Sequence, residues 1–147
     1  MIDAGSFAAQ VLDLLLDGTD PVLEALRSQT KSASVREIER SEFGVLIDLW
    51  VEDDVQPLDI GHRFAIDDLF GKVSGVDGEV GFQLHVIRGR IKTIEAWVSE
   101  AGWPEEPELV DSWYVAPDVD PEKAELVRVE ERDCAFAVRG IEGDPEE

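Results

Sequence analysis

The chain has 147 residues, 44% of them hydrophobic, which suits one domain over residues 1–147 with a core that needs neither disulfides nor metal. Its 34 acidic residues against 13 basic ones give a formal net charge of -21. That charge excludes nonspecific binding to nucleic acid phosphates or to an anionic membrane, since both would repel it, and leaves basic proteins or cations as permitted partners.

In chain order, "SFAAQVLDLLLDG" reads as a first helix capped by Ser6, with Phe7, Val11, Leu14 and Leu15 at helical spacing until Gly18. "TDPVLEALRSQTKSA" reads as a second, with Asp20 as its cap, Pro21 in its first turn and Val22, Leu23 and Leu26 along one side. From residue 35 the period becomes two. Val35 to Arg40 alternate, and a stronger strand runs from Phe43 to Val51. A short strand or single turn is expected around Phe64 to Phe70. The closely spaced Gly75, Gly78 and Gly81 lack the GK[ST] or GxGxxG pattern of a phosphate loop.

"GFQLHVIRGRIKTIEAW" predicts a hairpin whose turn contains Gly89. A two-residue turn would place Phe82, Leu84 and Val86 on one face with Ile91, Thr93 and Glu95. A three-residue turn would place them with Ile94, Ala96 and Val98, which gathers the apolar residues better and is preferred. Gln83, His85, Thr93, Glu95 and Trp97 then share the opposite face. The acid- and proline-rich stretch after the hairpin reads as a wrapping loop whose Trp103, Trp113 and Tyr114 need cover. Asp120 and Pro121 carry a helix-start signature, "LVRV" alternates like a strand, and a late strand is expected at 133–140. Residues 141–147 read as a frayed acidic tail. The fold class expected is α+β, with two N-terminal helices packed on one face of an antiparallel sheet.

Gly81, Phe82, Gly89, Glu95, Trp103 and Pro104 also carry a likeness. Over residues 14–106 the chain resembles a group of small uncharacterised bacterial proteins whose pattern is GF, a short apolar strand, a turn glycine, Leu-Glu-Gly-Tyr and then Trp-Pro. Ala96 and Trp97 stand where that group has Gly-Tyr. The resemblance implies a compact α+β domain of no established activity, in a group with some members that look like immunity partners of toxins.

Little in the chain points to catalysis. His62 and His85 stand in no metal-binding pair, "EDD" at 52–54 lacks the spaced ligands of a calcium loop, and GxSxG is absent. The lone cysteine, Cys134, reads as a small buried hydrophobe. No metal or cofactor is expected. The most economical catalytic pair would be His85 with Glu95, in a small hydrolase-like enzyme. The reading preferred is a non-catalytic, acidic, immunity-like module that binds a basic protein through Gln83, His85, Thr93, Glu95 and Trp97. A homodimeric structural domain whose acidity serves solubility is the other alternative. No apolar run has the length of a membrane span and the N-terminus has no basic leader, so a cytoplasmic protein is expected.

Overall fold

Both N-terminal helices begin where their capping side chains predict in the computed structural model, which describes residues 2–3, 5–120, 122–123 and 125–142. Helix α1 (Phe7–Leu15) is capped by the Ser6 hydroxyl, which accepts the Ala9 N–H at 3.2 Å. Helix α2 (Pro21–Gln29) is capped by Asp20, whose carboxylate accepts the Val22 N–H at 2.8 Å. These bonds satisfy donors that the first helical turn leaves without partners. Val11, Leu12, Leu15, Leu23 and Leu26 are fully buried.

Seven strands follow: β1 (Ser34–Ser41), β2 (Gly44–Trp50), β3 (Arg63–Val73), β4 (Val80–Ile87), β5 (Arg90–Trp97), β6 (Leu109–Pro117) and β7 (Leu126–Val129). They form one antiparallel sheet in the order β1-β2-β5-β4-β3-β6-β7. With two short C-terminal helices, α3 (Cys134–Ala137) and α4 (Arg139–Glu142), the architecture is α+β. The β3–β4–β5 meander is the centre, and the hairpins β1–β2 and β6–β7 extend it on either side. Val45, Ile47, Leu49, Ile66, Leu69, Phe82, Leu84, Val86, Ile94 and Ala96 face one way and share a hydrophobic cluster with the buried side chains of α1 and α2. Among the described residues, no helix is long and apolar enough to cross a membrane.

The β4–β5 turn combines both registers weighed from sequence. Ile87 pairs with Arg90, so the turn has two residues, Arg88 and Gly89, both at positive φ (51° and 79°) as a tight hairpin of this kind needs. That turn alone would put Thr93 and Glu95 on the core side. A register shift between His85 and Val86 corrects it, so that Val86 pairs with Ile91 while Leu84 pairs with Ile94 and Phe82 with Ala96. Ile91, Ile94 and Ala96 are therefore all buried. The hairpin tip is held from outside. Buried Gln29 donates to the Gly89 carbonyl at 2.9 Å and accepts the Ile91 N–H at 3.0 Å. Leu58 donates to the same carbonyl, and a Cβ at residue 89 would collide with the Leu58 backbone.

Three stretches differ from their sequence reading. The stretch after the hairpin holds a full strand, β6, in addition to loop; its period-two pattern is hidden by a register shift opposite Lys72 and Val73 and by neighbouring prolines. Residues 134–137 and 139–142 are helical, so no strand occupies 133–140. There the Asp133 carboxylate caps the Phe136 N–H at 3.0 Å, and Cys134, Ala137, Val138 and Ile141, at spacings of three and four, pack on the core. The short element expected at Phe64–Phe70 is an eleven-residue strand. After Asp120, Lys123 donates to the Asp120 carbonyl in a turn; Pro121 and residues 143–147 lie outside the described residues.

A buried ion pair ties the C-terminal segment to β3. A register shift between Ile66 and Leu69 leaves two residues, Asp67 and Asp68, without partners in the β3–β4 ladder. The Asp68 side chain is 0% exposed and that of Arg132 5%. They join through two bonds, Nε to Oδ2 at 2.9 Å and Nη2 to Oδ1 at 2.6 Å. Arg132 also donates to the carbonyls of Leu14 and Asp17, at 3.2 and 2.7 Å, where α1 has run out of its own donors. Its guanidinium lies 4.5 Å from the centre of the Tyr114 ring, and the Tyr114 hydroxyl donates to Leu14 as well. Arg139 pairs with Asp67 at 2.8 Å, one residue along.

Burial pushes the Tyr114 hydroxyl from 10.0 up to about 12, against the opposing pull of Arg132. The unfolded chain therefore loses this proton near pH 10 while the folded chain keeps it until about pH 12. The stability contributed is complete below pH 10 and is lost as the pH rises to about 12. Urea denaturation across that window should show a shallower decline for Tyr114→Phe than for the parent. Parallel declines would show that another group causes the loss.

Candidate functional site

The face of the sheet opposite the core carries the residues singled out from sequence. Register places Gln83 opposite Glu95 and His85 opposite Thr93, with Trp97 opposite Gly81. Gln83, His85, Thr93, Glu95 and Trp97 are half-buried or exposed, whereas Phe82, Leu84, Ile94 and Ala96, which alternate with them, are buried. The five predicted positions are therefore brought together on one surface.

Within it, His85 Nε2 and Glu95 Oε1 are 3.0 Å apart, a diagonal cross-strand contact with both side chains 36% exposed. At that exposure an ion pair is screened by water and adds little stability. As a catalytic pair it would supply a base and a carboxylate to orient it, and hydrolysis would further need a nucleophile within hydrogen-bond reach. Among the described residues no hydroxyl or thiol bonds to His85. Lys92 and Asp48 form a second exposed pair at 3.0 Å.

Trp97 sits differently from its neighbours. Gly81 has no side chain, and the indole lies in the space a Cβ there would take. The ring crosses β4 in this way and meets Phe70 of β3 edge-on, with centroids 6.2 Å apart. Trp97 is 36% exposed, and Phe43 and Leu46, near it on the β2 side, are 50% and 40% exposed. A cleft of about 310 Å³ lies there, bordered by Glu39, Phe43, Leu46, Glu95 and Trp97. Arg40 also borders it, but Arg40 pairs with Val45, whose side chain belongs to the core face.

Sequence reasoning missed three aromatic residues of this face: Trp50, Phe70 and Trp113. Arg36 covers Trp50 at 5.7 Å from its ring centre, and Arg128 covers Trp113 at 4.5 Å. Trp97 has no such cover among the described residues. The alternation of Leu46, Asp48 and Trp50 along β2 could have revealed the first of the three. The placement of Phe70 and Trp113 depended on recognising β6. No group of three potential metal ligands occurs among the described residues.

Comparison with protein-family models, curated proteins and solved structures finds no match.

Proposed function

We propose that the protein is a non-catalytic, acidic binding module that receives an arginine-bearing segment of a basic protein on the outer face of its sheet, in the manner of an immunity protein. This reading takes the two N-terminal helices as the cover of the other face, which leaves the outer one to a partner. The observation that carries it is the contrast among three tryptophans. Trp50 and Trp113 each stack against an arginine of this chain, whereas Trp97 has none over its ring among the described residues and borders the same cleft as Glu39 and Glu95. A guanidinium placed over Trp97 would gain a cation–π contact, and the flanking carboxylates suit its fork of donors. The charge of -21 would speed the encounter with a basic surface and make it sensitive to salt.

The same surface holds His85 and Glu95, the pair a hydrolase-like enzyme would use, and the two readings part on substitution. Trp97→Ala is expected to weaken binding of an arginine-rich peptide by about 30-fold, the effect of losing an interface anchor. Adding Glu95→Ala should abolish it, with circular dichroism unchanged. The peptide should also bind more weakly as salt is raised, and a lysine-rich peptide of equal charge should bind less well. Equal affinity of both peptides for the parent and the Trp97→Ala protein would sink this reading.

A further inference from the structure

Strand β1 is an edge of the sheet, and its inward side chains extend past the cover that α1 provides. Val35 and Ile38 pair with Leu49 and Ile47 on the core side, yet they are 37% and 42% exposed. Between them and the start of α1 is a cleft of about 370 Å³ with apolar walls that include Phe7, Ile38, Ile47 and Trp103. Small-molecule sites are commonly concave, mostly apolar spaces of about 300–1,000 Å³ with a few polar groups that fix orientation.

Two residues that carry hydrogen-bond donors, Trp103 and Arg40, line this cleft. Trp103 packs edge-on against Phe7 with centroids 6.0 Å apart, and its indole N–H is buried without a hydrogen-bond partner. A buried donor of this kind is ordinarily satisfied, so an acceptor is the missing element of the site. Arg40, at the end of β1, is exposed and forms no ion pair with any described residue. An N–H and a guanidinium beside an apolar space define an acidic headgroup on a hydrocarbon body. Asp3, also in the lining, and the net charge of -21 count against a second negative charge on the ligand.

We infer that the cleft between α1 and the β1 edge binds a small apolar monocarboxylate, its hydrocarbon against Phe7, Ile38 and Ile47 and its carboxylate toward Trp103 and Arg40. The inference does not rest on the reading of the outer face.

Calorimetric titration of the full chain with octanoate, octanol and octylammonium, three probes of one tail and different heads, tests it. Octanoate is expected to bind about tenfold more tightly than octanol, the size of a charge-assisted hydrogen bond, with octylammonium weakest. Arg40→Met and Trp103→Phe should each bring octanoate close to octanol. Val35→Glu, at an exposed position, should exclude octanoate with the fold intact, so the test survives should Trp103→Phe not fold. Binding of none of the probes, equal binding of octanoate and octanol by the parent, tightest binding of octylammonium, or an octanoate preference unchanged in both Arg40→Met and Val35→Glu would each overturn the inference.

Discussion

Asp68→Ala is expected to destabilise the protein by about 3–5 kcal/mol, because it leaves the Arg132 charge buried without its counter-ion. For a chain of this size that corresponds to a fall in Tm of roughly 6–20 °C. The effect should exceed that of any substitution in the exposed pairs, such as Lys92→Ala or His85→Ala, whose partners stay hydrated. Asp68→Leu combined with Arg132→Met should recover a large part of the loss, since two apolar side chains of similar size need no desolvation of charge. Recovery should be incomplete, because Arg132 also serves the carbonyls of Leu14 and Asp17. Arg27, which donates to Leu16 and Gly18, remains to finish α1 in either variant. Thermal and urea unfolding of the parent, Asp68→Ala, the double variant and Lys92→Ala check this, and a cost for Asp68→Ala no larger than for Lys92→Ala would refute it.

That ion pair also marks where the sequence stops being informative. Ser6, Asp20 and Pro21 act on donors within three residues of themselves, so both helix starts could be read directly. The hairpin face of Gln83, His85, Thr93, Glu95 and Trp97 could be read because alternation fixes it, although the turn and the register shift that produce it could not be separated. Asp68 and Arg132 are 64 residues apart and their meeting depends on an irregularity in β3, for which the local pattern gives no sign. The strand expected at 133–140 illustrates a different failure. In "CAFAV" the apolar residues fit period two and helical spacing alike, and Asp133 as a cap decides between them. Likewise Glu95 was legible as a surface residue, while the role of Gly81 beneath Trp97 belongs to the pairing of two strands.

Gly81→Val tests whether that support matters. The new Cβ and its methyl groups would occupy the volume of the Trp97 ring, so the indole must leave Phe70 or the strands must part. Overpacking of this kind is expected to cost about 1–3 kcal/mol, offset in part by the better strand propensity of valine. If the ring leaves, affinity for the arginine-rich peptide should fall as far as it does in Trp97→Ala, although the tryptophan is still present. Trp97→Val in the Gly81→Val background should remove the clash and restore stability without restoring binding, which gives a favourable coupling in a double-mutant cycle. Independent, additive effects would mean that the ring has room to lie elsewhere. Lost binding in Gly81→Val, where Trp97 is still present, together with restored stability in the double variant would place the function of Trp97 in the direction its ring is held, and would make Gly81 part of the binding site without any contact of its own.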